Sequence, residues 1–363
     1  MNYKRHNILF LTTRQWNPGD EFILKGAVNI IKQINKDFNA VIFNRHPEIH
    51  PNAKIPNPFR RFQKNLKGHT YWGPFVRVGA KDNSFIAQDD DANIFSLLVV
   101  AGSPGWPNPA SNTLYKYALA HALPTVFLGI GTPYENFSFE GLRQHAQRQL
   151  ENALVVTTRD SRLANALACV AAEQLPCPAL LSASTARQVE RVATIGFAIG
   201  HPSAYTQGVS KSIYELTKHA LLKLQQKYRV KVICHFYDEL PGLLEDIGSD
   251  CEVFYSYNSE EYFHALNECD LVVGTRVHAI GAAASLGIPG VFVAHDQRAD
   301  TVKGFLAELV DPLDRPESLV ERVELVADSV VERSSNLALH KSETSRRYHE
   351  KLTGNAALMA IMR

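Results

Sequence analysis

The chain is sparing with cysteine. It has five in 363 residues (Cys169, Cys177, Cys234, Cys251 and Cys269), an odd number with no Cys-x-x-Cys pair. That excludes a disulfide framework or a zinc knuckle and leaves the thiols as small buried hydrophobes in a reducing compartment. Charge of one sign is missing too. Lys and Arg number 38 against 37 Asp and Glu, a net +1, so no global field draws nucleic acid or an anionic membrane, and any anion site must be local. No apolar run approaches the roughly 20 residues of a membrane span. The one near the start, Ile8-Leu9-Phe10-Leu11, is too short for a signal-peptide core. The expectation is a cytoplasmic protein.

What is present is ordinary globular composition, 45% hydrophobic and 21% charged. The length exceeds the roughly 250–300 residues at which one core stops growing, so two domains are expected. Short apolar runs recur along the chain, at residues 8–11, 40–43, 95–100, 125–128 and 154–158, and again at 195–200, 230–235, 271–273 and 290–293. Helical patterns separate many of them. Asp20 is placed to cap a helix bearing Ile23, Ala27, Ile30, Ile31 and Ile34 on one face, and Asn258 with Glu261 reads as a capping box. Residues 47–73 read as a long connection. Such alternation predicts α/β architecture with parallel sheets, whose ligands gather at the carboxyl ends of the strands. The small, polar stretch 184–192 divides the series. The predicted layout is therefore a domain at 1–183, a linker at 184–192, a domain at 193–340, and a C-terminal helix at 341–363 positioned to pack back on the first domain.

Three predicted strand ends carry an arginine. Thr158-Arg159-Asp160-Ser161 sets a guanidinium beside a helix N-terminus, a favourable place for phosphate or carboxylate. Gly274-Thr275-Arg276-Val277-His278 follows a buried strand, and an extended backbone there would turn Arg276 and His278 to one side. Val293-Ala294-His295-Asp296-Gln297-Arg298 ends the neighbouring strand. A lone strand-end arginine is most often a salt-bridge partner, and a lone histidine near a helix start is most often structural. Recurrence in both halves changes the balance and describes a cleft for a substrate with more than one negative group. On the N-terminal side, Asn17-Pro18-Gly19-Asp20-Glu21 offers a glycine for close approach and carboxylates able to orient a sugar hydroxyl. The same residues also suit a turn with helix-dipole carboxylates. Gly102, Gly105, Gly129 and Gly131 mark tight strand exits but match neither a dinucleotide fingerprint nor a Walker loop. No cluster with metal-ligand spacing is evident.

These segments together resemble the polysaccharide pyruvyl transferase family. The resemblance rests on Asn17-x-Gly19-Asp20-Glu21, the exit at 101–105, Phe127-Leu128-Gly129-Ile130-Gly131, Thr158-Arg159-Asp160, and above all Gly274-Thr275-Arg276-Val277-His278-Ala279 with Gly287-Ile288-Pro289. It implies two Rossmann-like domains facing across a cleft, as in glycosyltransferase-B enzymes, with the acceptor on the N-terminal side and the donor on the C-terminal side. It implies phosphoenolpyruvate as co-substrate, no cofactor, and a sugar diol on a glycan or lipid-linked saccharide as acceptor. Peripheral membrane association is an expectation that follows from a lipid-linked acceptor. By motif position, His278, Arg276 and Asp20 are the expected catalytic residues. Arg159, Arg276, Arg298, Gly102 and Thr275 are expected on the donor, and Asn17, Asp20 and Glu21 on the acceptor. An imidazole with an unshifted pKa of about 6.5 suits His278 to general acid or base work. Two departures stand out: Arg298 lies where members commonly carry lysine, and Gly102-Ser103-Pro104-Gly105 replaces a run of glycines. A nucleotide-sugar glycosyltransferase and a non-catalytic glycan or anion binder remain as alternatives, and oligomeric state is left open.

Overall fold

The computed structural model describes residues 6–12, 18–44, 76–79, 95–132, 137–204, 208–236, 238–256 and 259–363. Asn17, Asn258 and the connection at 47–73 lie outside them. The first half begins with β1 (His6–Thr12), α1 (Gly19–Lys32), β2 (Phe38–Asn44), β3 (Val76–Gly79) and β4 (Phe95–Ala101). It continues with α2 (Pro109–Ala120), β5 (Thr125–Ile130), α3 (Gln144–Glu151), β6 (Val155–Thr158), α4 (Ser161–Ala166) and β7 (Glu173–Gln174). A 3-10 turn, Pro178–Leu181, follows. The second half comprises β8 (Thr194–Ala198), α5 (Lys211–Leu224), β9 (Arg229–Ile233), α6 (Leu240–Ile247), β10 (Glu252–Phe254), α7 (Ser259–Asn267), β11 (Leu271–Gly274), α8 (Val277–Ser285) and β12 (Gly290–Val293). The chain ends with α9 (Ala299–Lys303), β13 (Glu308–Val310), α10 (Pro316–Asp328), α11 (Val330–Thr353) and α12 (Ala356–Ile361).

Two parallel sheets result, ordered β3-β2-β1-β4-β5-β6-β7 and β10-β9-β8-β11-β12-β13. Each reverses its winding in the middle, between β1 and β4 and between β8 and β11. At such a point the loops diverge and leave a crevice at the carboxyl ends of the strands. The expected α/β fold of two Rossmann-like halves is what the chain adopts. The central strands are apolar throughout because helices cover both sheet faces: Ile8 to Leu11, Leu97 to Val100 and Leu271 to Val273 are essentially inaccessible.

Several local expectations need correction. Asp20 is not the cap of α1; Pro18 is, and Asp20 and Glu21 sit in the first turn, where carboxylates meet the positive end of the helix dipole. Ile34 lies past the end of that helix, partly buried against the core. A single helix runs through position 341, from Val330 to Thr353, so the C-terminal helical segment starts earlier than the sequence pattern predicts. Its far end touches the first half through Tyr348, whose hydroxyl donates to Pro176 O at 2.8 Å, and Asn355, whose amide donates to Leu154 O at 2.7 Å. All five cysteines are free, but only Cys177, Cys234 and Cys269 are buried; Cys169 is exposed.

One apolar cluster joins the two halves, containing Phe22, Ile23 and Ala27 of α1, Ala179 and Leu180 of the 3-10 turn, and Ala279, Ile280 and Ala283 of α8. The segment between the sheets is pinned. Arg187 N donates to Leu286 O at 2.9 Å, and Val189, fully buried, donates its N–H to Ser334 Oγ at 3.0 Å. Close approach depends on glycine: a Cβ on Gly26 of α1 would fall 1.8 Å from Pro178 O. In an isolated helix Gly→Ala gains roughly 0.5–1 kcal/mol. Here overpacking against main chain, typically about 1–3 kcal/mol, outweighs it. Gly26→Ala is expected to lower the denaturant midpoint, and an unchanged or raised midpoint would show that the seam yields freely.

Candidate active site

The second sheet's crevice is built at the end of β11. Thr275, fully buried, ties it to β8: its N–H donates to Ala198 O at 3.0 Å, and its hydroxyl accepts from Gly200 N at 3.1 Å. A Cβ on Gly274 would lie 2.1 Å from Ala198 O, so glycine is needed for that approach. Arg276 then caps α8 in an extended conformation, and the helix begins at Val277. His278 is thus the second helical residue. The expected extended stretch, with 276 and 278 on one side, is not formed, and the two side chains take different partners.

Arg276 turns inward. It is 4% exposed, ion-paired with the Glu239 carboxylate, and its guanidinium lies 4.9 Å from the centroid of the Phe236 ring. Glu239, itself inaccessible, also accepts from Phe236 N at 3.2 Å. Burial, with Arg298 adding repulsion, draws the Arg276 guanidinium down to about 10, still a cation at neutral pH. The sequence reading missed Glu239. The acidic pair Asp238-Glu239 after the strand at 230–235 was its only signal, and an acidic pair at a strand end is unremarkable on its own.

His278 reaches the other half. Its Nε2 lies 3.3 Å from Arg159 Nη1 at the carboxyl end of β6. A guanidinium only donates, so Nε2 accepts and the ring proton resides on Nδ1. Burial first, then Arg159, Arg298 and His235, hold the His278 pKa well below its usual value. The expectation of an unshifted imidazole is therefore corrected: His278 is neutral here, a proton acceptor. Two of the glycine exits make room for Arg159. A Cβ on Gly131 would lie 2.4 Å from its Nε, and one on Gly102, which has φ of +74°, would meet Ile23 at 2.9 Å and Arg159 Nη1 at 3.9 Å. Arg159 Nε is buried with no hydrogen-bond partner, and among the described residues the guanidinium forms no ion pair.

Arg298, in contrast, is held. Its N–H donates to Asp296 Oδ1 at 2.8 Å, and its Nε and Nη2 donate to Oδ2 at 2.8 and 2.5 Å. Beside it, His295 is pushed down chiefly by burial. The anion-accepting donors predicted at Ser161 are occupied from across the halves. Asp300 of α9 accepts from Ser161 N and Ser161 Oγ, both at 2.8 Å. Asp160 caps α4 by accepting from Leu163 N at 2.8 Å, and burial raises its pKa. The structure thus joins Arg159 to His278 and sets Arg276 and Arg298 within electrostatic reach of each other. Asp20 and Glu21 belong to α1, with Glu21 buried. No group of three or more His, Cys, Asp or Glu able to hold a metal occurs among the described residues.

Two expectations follow. His235, 1% exposed, is held at about 3 by burial and the nearby Arg276. With its folded value below the unfolded one of about 6.5, the unfolded chain takes up the proton first as pH falls. Stability is full above about 6.5 and declines below it, by up to roughly 1.4 kcal/mol per pH unit for one such group. His235→Gln should flatten that decline in denaturant titrations; an unchanged slope would remove His235 from the account. Across the halves, Ser161→Ala and Asp300→Ala are each expected to destabilise, with a double-mutant coupling of roughly 0.5–3 kcal/mol. Strict additivity would mean the latch is not formed in solution.

The comparisons with known proteins agree with this fold. UDP-GlcNAc 2-epimerase from Neisseria meningitidis, solved bound to UDP-GlcNAc, superposes with a TM-score of 0.57 at 11% identity, covering 96% of this chain and 100% of that one. MnaA of S. aureus, solved with UDP, gives 0.59 at 10% identity, covering 97% of each chain. The spinosyn rhamnosyltransferase SpnG gives 0.50 at 11% identity, covering 96% and 99%. At such identities the likeness concerns the fold, the two-domain arrangement of glycosyltransferase-B type. No curated protein matches in sequence. The family profile described as polysaccharide pyruvyl transferase matches residues 17–297, a span that takes in Arg159, Glu239, Arg276 and His278, and the chain belongs to that family.

Proposed function

We propose that this protein transfers a pyruvyl group from phosphoenolpyruvate to a sugar diol of a polysaccharide or lipid-linked glycan precursor, forming a ketal. The observation that carries the reading is the 3.3 Å approach of Arg159 to the neutral His278, which joins the strand ends of both sheets. Arg159 is a cation that forms no ion pair among the described residues, beside a base. Phosphoenolpyruvate carries a phosphate and a carboxylate, and binding either to Arg159 supplies the missing counter-charge. The guanidinium then leaves His278 Nε2 for the substrate, which frees that nitrogen. The new negative charge also raises the imidazole pKa toward the working range.

The overall step balances with two acceptor hydroxyls. One adds to C2 of the enol as a proton is delivered to the C3 methylene, making a methyl group. The second hydroxyl then attacks C2, the C–O bond to phosphate breaks, and its proton departs with the phosphate. Neutral His278 is suited to take a hydroxyl proton and, as imidazolium, to return it. Buried Arg276, held by Glu239, contributes a fixed positive field from behind the site with little reorganisation. Asp20 and Glu21, at the start of α1, are assigned to the acceptor. No resident cofactor enters this scheme. On this reading the protein works in the cytoplasm, at the membrane surface when the acceptor is lipid-linked.

The test is phosphate release from phosphoenolpyruvate that requires a glycan acceptor. His278→Ala is expected to lower kcat by about 10²–10⁴, the range for a general acid–base residue. Arg159→Ala should chiefly raise the KM for phosphoenolpyruvate. Thermal stabilisation by a nucleoside diphosphate, with none by phosphoenolpyruvate, would overturn the reading in favour of a glycosyltransferase.

A further inference from the structure

The far end of α8 borders a second groove, away from the cleft. There the helix's last carbonyls meet α1, the segment 182–186 and α11, around a groove of roughly 750 Å³ lined by Asn29, Gln33, Lys341, Ser345, Arg346 and His349 among others. A neighbouring hollow of about 370 Å³ shares Asn29, Ala183 and Ser184 and adds Lys25, Lys32 and Thr185. Only one acidic residue, Glu260, lines either of them, and it is ion-paired with Lys25. Arg346 is matched by Glu343 and Glu350. Lys341 and Lys32 form no ion pair among the described residues. A surface with nearly equal numbers of each charge overall is here locally cationic, with hydroxyls and amides set in a lining that is otherwise largely apolar.

Lys341 is the centre of this arrangement. It is half-buried, and its Nζ donates to Ala183 O at 2.8 Å and Ser285 O at 2.7 Å. Two of its three N–H groups are thereby fixed on main-chain carbonyls, and tetrahedral geometry leaves the third directed away from both. Burial alone draws its ammonium down to about 8, so the charge is incompletely compensated by the carbonyls. Ser345 sits one helical turn further along α11, accepting from Gln33 Nε2 at 2.9 Å, which leaves its own O–H to donate. Asn29 is held by Leu181 O at 2.8 Å.

We infer that this groove is a second ligand site, taking a small phosphorylated anion whose phosphate seats on Lys341 and the Ser345 hydroxyl. The volume suits a nucleotide or sugar phosphate, within the roughly 300–1,000 Å³ of small-molecule sites. One ammonium flanked by a hydroxyl free to donate matches a phosphate, which accepts several hydrogen bonds at once. Because Lys341 also grips the inter-sheet segment and the carboxyl end of α8, the helix that carries His278 in its first turn, occupancy is felt at both. The site does not rest on the reaction proposed above.

The experiment uses the full chain and inorganic pyrophosphate as probe. Lysine acylation is followed residue by residue by mass spectrometry, with and without millimolar pyrophosphate, in the wild type and in Arg159→Ala, where the cleft cation is gone. Protection of Lys341 by about tenfold or more in both proteins supports the site. Pyrophosphate affinity falling about tenfold in Lys341→Met, the effect of removing a single charge-assisted hydrogen bond, supports it further. If that variant fails to fold, Ser345→Ala with the wild-type protection data decides. Equal Lys341 labelling with and without pyrophosphate overturns the proposal. So does protection that disappears in Arg159→Ala, protection given equally by acetate, or protection given only by phosphatidylglycerol vesicles.

Discussion

The close packing of α8 on α1 and the 3-10 turn is the constraint on which the site depends. Six of the nine residues of α8 are small: Ala279, Gly281, Ala282, Ala283, Ala284 and Ser285. A Cβ on Gly281 would meet Phe305 at 2.7 Å and Ala179 at 3.2 Å, so the helix lies as near its neighbours as backbone permits. Small side chains contribute little apolar area each. They allow the helix axis to approach, and dispersion across a dense interface replaces bulk. The result is positional: the N-terminus of α8 arrives where His278 can touch Arg159 of the other sheet.

Electrostatics then follows from burial. Arg276 is removed from water and needs Glu239 and the face of Phe236 to be tolerated there. Arg298 is matched by Asp296. Of the three strand-end arginines, Arg159 is the one that forms no ion pair among the described residues, with Asp160 acting on it only at a distance, and its positive field joins desolvation in keeping His278 neutral. Cation and base therefore stabilise each other's state: the guanidinium finds an acceptor in a ring that its own charge prevents from protonating. On the proposed reaction, an anionic donor reverses both conditions at once, which couples binding to activation of the base.

Much of this was legible in the sequence because it depends on local pattern. Continuous apolar runs ending in glycine or polar residues gave the two parallel sheets, and their carboxyl ends located Arg159, Arg276 and Arg298. Short edge strands such as β3, β10 and β13, of three or four residues, carry too few side chains to show a period. The break from strand to helix between Arg276 and Val277 was placed too late, because Val277 suits either state and tertiary packing decided it. Glu239 was hidden for another reason. Its role depends on β9 lying beside β8 in the finished sheet, a long-range fact that no spacing along the chain encodes. The helix start at Thr158-Arg159-Asp160-Ser161 reads in sequence as a place for an anion, and only the fold shows that Asp300 supplies one at Ser161.

The departure at Arg298 has a physical meaning in this fold. Three of its N–H groups, one main-chain and two guanidinium, converge on the Asp296 carboxylate. A lysine offers a single compact charge and cannot reproduce that fork. In this chain the arginine's geometry is committed to shaping the turn before α9, the short helix that carries Asp300 to Ser161. What residue 298 gives the site is thus a long-range field, seen in the lowered values of Arg276 and His278, and the placement of the interdomain latch. On the proposed reaction, the substrate-facing cation is left to Arg159. That division of labour follows from hydrogen-bond geometry alone: a guanidinium already engaged on one carboxylate has little left to offer a second anion, whereas Arg159 keeps a buried N–H without a partner.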